Sequence, residues 1–365
     1  MKIAVLTSLG LGLSALFSFS PSVSAAKTQR KEVRAMSSSE LDAYFSALWS
    51  YKTSGRKDSR GYFETYDSLV AHHAIAATNV TGDKAHQYAG FIVWHAVFVK
   101  ELEQALQSID PTVAVPYWDW TIDAKLADPR TSDVFTDAYF GSSSPSLSDN
   151  YNVVDGPLLG WEVSTSPSSY GFTSYNKKTG YMRNANNYNP SPYLTRYVGG
   201  GKAGTLPTST QYNSCVSSTS YSNFANCVWG TVGSMSGQSV VHGTVHGWVG
   251  GMFTSTSGSA MGDMMDPITS PNDPLFFSHH GNLDRMYWEY RAKTGDALAT
   301  ESDPCGGFYG KEVTTPQPEG HDLNDVLSPS FFAFRSLEEI DTLGPLTIAE
   351  ACYFLQTDNY DVEYV

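Results

Sequence analysis

Basic residues are few: 23 Lys and Arg stand against 37 Asp and Glu, a formal net charge of -14. That balance removes the basic surface on which nucleic-acid binding depends, and it identifies no other partner. Long apolar runs are equally scarce. Past the first residues, no stretch approaches the ~20 apolar residues that a membrane span needs. Cysteine is limited to Cys215, Cys227, Cys305 and Cys352, and their spacing matches no zinc motif. Four cysteines permit two disulfides in three pairings and fit an oxidising compartment. Cys215 and Cys227 close a short polar loop and form the expected local bridge. Cys305 with Cys352 would then tie the final segment to the body. There is no internal repeat and no linker between two cores, so residues 26–365 read as one domain.

What is present begins with a leader. Lys2 precedes an apolar run from Ile3 to about Phe17, and small residues follow, ending Val23-Ser24-Ala25. That three-part pattern is a secretory signal peptide over residues 1–25, which places the mature chain outside the cytoplasm from about Ala26. Asn79-Val80-Thr81 is the one usable glycosylation sequon.

From Ser37 to Asp128 the chain is helical in character. Ser37, Ser38 or Ser39 can cap a helix whose Leu41, Tyr44, Phe45 and Leu48 share one face. A second helix is predicted from about Tyr66 to Thr78 and a third from about Phe91 to Gln107. Pro116-Tyr117-Trp118-Asp119-Trp120 ends the zone as an aromatic turn. From Ala138 to Met235 the composition shifts to Ser, Gly, Tyr, Asn and Pro, which reads as loops and short strands. Helical character returns at about Ser239 to Val249. It returns again after Asp273, which can serve as N-cap with Pro274 as first helical residue.

The histidines fall on these helices. His242 and His246 are one turn apart on one face, a spacing that suits two ligands on one metal. A zinc protease would place a glutamate after the first, where Gly243 stands. His86 and His95 would lie on opposite faces of one continuous helix, so they converge only if the helix begins between them, at about Gly90. His73 lies on the second helix with His72 as its competitor. In the pair His279-His280 only one ring is expected to face the core. His280 shares a face with Phe276, Phe277, Leu283 and Asp284, and Asp284 could orient an imidazole. A ligand set made of nitrogen alone suits copper, zinc, iron or nickel.

Several of these residues resemble the fixed positions of one family. His86, Phe91, Trp94, His95, Val99 and Glu103 stand as in the first copper signature of tyrosinases, catechol oxidases and haemocyanins. The stretch from Asp273 to Asp284, with Asp273-Pro274-Leu275-Phe276-Phe277 and His279-His280, matches the second signature. His242 to His246, followed by Gly250-Gly251, is similar to the family's second-site helix. The likeness runs over roughly residues 30 to 360. It implies a mainly α fold, a four-helix bundle holding a dicopper centre, with long loops and a few short strands. By the resemblance, copper A would be held by His73, His86 and His95, and copper B by His242, His246 and His280. The second signature selects His280 over His279, and the lead-in Tyr66 to Val70 selects His73 over His72. Dioxygen would be the co-substrate and a small phenol the substrate.

The chain also departs from the family pattern. Ala96 follows the third copper A histidine, where an arginine is usual. Lys84 stands where some relatives have the cysteine of a cysteine–histidine thioether. No acidic residue lies between Cys215 and His246, so the glutamate that orders a water in many relatives is missing. Gln238 is left to order that water, and Gly243 replaces an asparagine found in efficient hydroxylators; neither can act as a base. The chain ends soon after Tyr360 and Tyr364, and no shielding C-terminal domain is expected. The resulting expectation is a secreted oxidase of o-diphenols, with monophenol hydroxylation weak or absent. A full tyrosinase is the alternative, and a haemocyanin-like dioxygen binder is a more distant one.

Overall fold

Ser37, of the three candidate serines, starts the first helix, α1 (Ser38–Thr53). Its hydroxyl accepts the Glu40 N–H and the Glu40 carboxylate accepts the Ser37 N–H, a reciprocal cap. The computed structural model describes residues 26–57, 63–86, 89–165, 180–200, 205–229, 241–307, 319–328, 333–335 and 337–365. The expected leader, residues 1–25, and Gln238 lie outside the described residues. Among the described residues no helix is long and apolar enough to cross a membrane.

Helices α2 (Tyr66–Ala77) and α3 (Phe91–Gln107) form where the apolar spacing predicts them. α3 begins directly after Gly90, so His86 stays in the loop before it. Almost all of α3 is buried, including Lys100, Glu101 and Glu103. Each large apolar side chain on it contributes roughly 1.5–3 kcal/mol by leaving water. The buried charges persist because they are paired: Glu103 with Arg30 at 2.8 Å, and Lys100 with Glu103 at 3.1 Å.

The Ser- and Gly-rich middle departs from expectation. Its described residues hold, instead of regular short strands, isolated bridges, such as Glu162 with Tyr193, and two helices, α4 (Ser209–Val216) and α5 (Tyr221–Trp229). Two local signals favour helix over the loop-like composition. Thr208 and Gln211 cap α4 reciprocally, and Tyr221, Phe224, Ala225 and Val228 line one buried face of α5. Cys215 and Cys227 join these two helices, and Cys305 joins Cys352, so both pairings are as expected.

Helices α6 (Val241–Gly250) and α7 (Leu275–Tyr290) complete the bundle around α2 and α3. α7 opens one residue later than the sequence suggests, although Asp273 Oδ1 still accepts the Leu275 N–H at 2.9 Å. Strands are short. β1 (Thr28–Arg30) runs parallel to β6 (Val362–Tyr364), while β2 (Arg56–Lys57) pairs with β3 (Phe63–Glu64) and β4 (Met252–Ser255) with β5 (Gly258–Met261). The β1–β6 pair brings both ends of the described chain against α3 and α7, beneath the histidines.

Candidate metal centre

Two groups of imidazoles meet inside the bundle. His73 from α2, His86 from the loop and His95 from α3 form the first, with ring centroids 4.9 to 5.8 Å apart. His242 and His246 from α6 and His279 and His280 from α7 form the second. The groups touch: the His95 and His280 rings stack at 4.3 Å, 17° from coplanar. All six histidines predicted as ligands are thus brought together, three in each group. His72 is not in either group.

The expectation that only one of His279 and His280 faces inward is corrected. Both are buried, because the first ten residues of α7 have no solvent face. The two rings differ in what they reach. His280 contacts the first group through His95, and its Nε2 lies 3.2 Å from that of His246. His279 lies beside His242 and His246, stacked on the former at 5.6 Å.

Asp284 is also corrected. Its carboxylate accepts hydrogen bonds from Arg30, Tyr360 and Tyr364 at 2.6 to 2.8 Å, so it anchors α7 to β1 and to the segment that carries β6 rather than orienting an imidazole. The orienting groups are others. The Asp83 carboxylate accepts from His86 Nδ1 at 3.1 Å, Phe91 O from His95 Nδ1 at 2.9 Å, Ile268 O from His73 Nδ1 at 2.7 Å and Met264 O from His246 Nδ1 at 2.7 Å. None of these acceptors can donate, so each Nδ1 carries the proton and each Nε2 keeps its lone pair. Of these partners only Asp83 had a readable signal, a carboxylate three residues before a predicted ligand. The two remote carbonyls leave no trace in side-chain identity.

The donor set fits metal. His73 Nε2 and His95 Nε2 are buried without a hydrogen-bond partner, as are both ring nitrogens of His242. Buried lone pairs of this kind are costly unless something accepts them. Two nitrogens each ~2 Å from one ion sit roughly 3 Å apart, which is the His246–His280 relationship. Six of these rings, those of His73, His95, His242, His246, His279 and His280, are held neutral, as ligation demands. Burial, reinforced by neighbouring imidazoles, lowers His73 to about 3; burial brings His246 to about 4 and holds His95, His242, His279 and His280 well below the usual range.

An aromatic frame fixes the rings. Phe276 packs on His73, His95, His246 and His280, and Phe91 on His95 and His242. Trp229, at the end of α5, lies 5.6 Å from His86 and 5.1 Å from His242 and is half-buried. Sequence reasoning missed Trp229. Gly243 is exposed, and a Cβ there would meet nothing within 4 Å.

The family model described as the common central domain of tyrosinase matches residues 64–293. A tyrosinase of Streptomyces antibioticus is 27% identical over 316 residues, 83% of this chain and 92% of that protein. Among solved structures, a mutant polyphenol oxidase of Thermothelomyces thermophila superposes with a TM-score of 0.63 at 19% identity, covering 93% of this chain and 89% of that one. A tyrosinase of Burkholderia thailandensis gives a TM-score of 0.58 at 20% identity, over 93% and 74% of the two chains. The match across more than half the sequence and the paired imidazole groups lead to one conclusion: the chain belongs to the tyrosinase family and is a dicopper oxidoreductase that acts on phenolic compounds with dioxygen.

Proposed function

We propose that the chain oxidises o-diphenols to o-quinones and also hydroxylates monophenols, the two activities of a full tyrosinase. The diphenol reaction balances as two diphenols and one dioxygen giving two quinones and two waters. The observation that supports it best is the contact between the two histidine groups through His95 and His280, which would hold two bound ions close to one another. Copper would supply dioxygen binding and electron transfer; His73, His86 and His95 would hold one ion, and three of the second group, with His280 preferred to His279, the other. The protein's own work is to fix these imidazoles in place and to shape the phenol site beside Trp229.

Hydroxylation is supported by the relatives, since the Streptomyces antibioticus protein, covered over 92% of its length, is a tyrosinase. Against it stands the sequence at Gly243, which supplies no base. Initial rates on a matched monophenol and catechol, with copper content measured, decide the matter. Turnover of both supports the proposal; turnover of the catechol alone restricts the chain to diphenol oxidation. We also propose that the protein is secreted, on the leader pattern of residues 1–25 and on its two disulfides. The test is N-terminal sequencing of protein recovered from the medium.

A further inference from the structure

The carbonyls that orient His246 and His73 belong to one short segment. Met264 O accepts from His246 Nδ1 and Ile268 O from His73 Nδ1, each at 2.7 Å, so five residues of backbone orient one ring in each histidine group. Midway between them is Asp266, fully buried. Its Oδ1 accepts the Ile268 N–H at 3.2 Å. Its Oδ2 accepts the Asn187 side-chain amide at 3.0 Å and the Asn184 N–H at 2.8 Å. Among the described residues no cation pairs with it, and Arg183, next to Asn184, is taken by Asp263 in a buried pair at 2.8 Å. A buried carboxylate satisfied by neutral donors alone is expensive to keep, and burial raises its pKa accordingly.

The segment is anchored by hydrogen bonds on both sides. Asp263 Oδ2 accepts the Thr195 N–H at 2.8 Å, and Pro271 O accepts the Tyr66 hydroxyl at 2.7 Å. Gly250 lets it lie flat on α6, since a Cβ there would come 2.2 Å from Met265 N. Between these anchors, the hydrogen bonds of Asp266 set the path of residues 264–268 and the direction in which both carbonyls point.

We propose that Asp266 is a positioning residue for both metal sites at once: by fixing the Met264–Ile268 segment it sets the orientation of His246 and His73 together, and hence the relation between the two ions. It touches neither substrate nor metal. The proposal rests on the dicopper reading of the site. Loss of a partner that orients a ligand typically lowers metal affinity about 10- to 100-fold, and here the loss should fall on both ions together.

The test compares the parent protein with Asp266→Asn and Asp266→Ala, each loaded with copper and checked for fold by circular dichroism. Copper affinity and the spin count of the cupric protein by electron paramagnetic resonance are the readouts. Closely held cupric ions couple and give little signal; ions that drift apart give separate ones. The expected result is weaker binding of both coppers, or two bound coppers with a signal absent from the parent. Asp266→Asn, which keeps an acceptor for the Ile268 N–H, should be milder than Asp266→Ala. Two tightly bound, coupled coppers in both variants, or loss from one site alone, would overturn the proposal. If Asp266→Ala does not fold, Asp266→Asn is read by the tautomers of His73 and His246 in 15N spectra of the copper-free protein. Joint loss of both Nδ1–H signals supports the proposal, and retention of either sinks it. A parent protein that binds no copper would instead refute the dicopper reading.

Discussion

Arg30 joins the two helices whose histidines stack on each other. Its guanidinium donates to Glu103 on α3 at 2.8 Å and to Asp284 on α7 at 2.7 Å, with all three side chains buried. Glu103 is on the same helix as His95, and Asp284 is one turn after His280. The strand that carries Arg30 is itself paired to β6, whose Tyr364 donates to the same Asp284. The β1–β6 pair therefore braces the spacing of the two histidine groups.

Arg30→Met should accordingly be severe. It leaves Asp284 buried without its cation and Glu103 with Lys100 alone, and breaking a buried pair in this way costs about 3–5 kcal/mol. Chemical denaturation of the copper-free protein measures it; a loss below about 1 kcal/mol would mean that the pair is not what holds α3 and α7 together.

His246→Ala and His279→Ala should separate the two roles in the second group. The first removes a ring whose Nε2 lies 3.2 Å from that of His280 and whose Nδ1 is held by Met264 O, so copper content should fall toward one ion per chain. The second removes a ring that contacts no member of the first group, so both coppers should remain. The reverse pattern in metal analysis would exchange the assignments.

Asp83→Asn should weaken the first site alone. The carboxylate accepts the His86 backbone N–H at 2.9 Å and its Nδ1–H at 3.1 Å, fixing both the loop and the ring. A copper affinity about 10- to 100-fold lower at one ion, with the other unchanged, is the expected titration. An unchanged titration would show that loop packing suffices to place His86.

The copper-free protein should lose stability as pH falls. Burial depresses His73 to about 3 and His246 to about 4, against an ordinary value of about 6.5 in the unfolded chain. Between those values the unfolded state takes up protons that the folded state refuses, so stability is full above about pH 6.5 and declines toward pH 4. Each such ring contributes up to about 1.4 kcal/mol per pH unit. Melting temperatures of chelator-treated protein from pH 7.5 to 4.5 test this, and a flat profile would mean that the rings are not buried in neutral form.

The sequence carried the site further than it carried the scaffold. Helix spacing placed His242 and His246 on one face and His95 on the apolar face of α3, and Gly90 accounted for His86 lying outside the helix, because these depend on local geometry alone; His73 was separated from His72 only by the family resemblance of its lead-in. The premise that only one of His279 and His280 faces the core failed as physics: it assumes a solvent face, and the first ten residues of α7 have none. Asp284 was misread for a different reason. Its partners Arg30, Tyr360 and Tyr364 are 76 to 254 residues away, and only the fold brings them to it. Helices α4 and α5 were hidden by composition, although Thr208 and Gln211 had the form of a helix start.

Trp229 should govern substrate binding rather than turnover. Its ring faces a predicted ligand of each copper, His86 and His242, and packs at 4.8 Å on Phe91, while remaining half-buried. An aromatic surface placed there can stack on a phenol ring that approaches both ions. Such pairs contribute about 0.5–1.5 kcal/mol beyond area burial, which corresponds to about 2- to 12-fold in affinity. In Trp229→Ala the KM for a catechol should rise by that factor while kcat stays within about twofold and both coppers remain bound. Trp229→Phe should restore most of the loss. The Cys215–Cys227 bridge ends two residues before this ring and holds the end of α5 to α4. Reducing that bridge in the folded enzyme should therefore raise KM in the same direction. If Trp229→Ala instead lowers kcat and copper content with KM unchanged, the indole supports His86 and His242 and the phenol binds elsewhere.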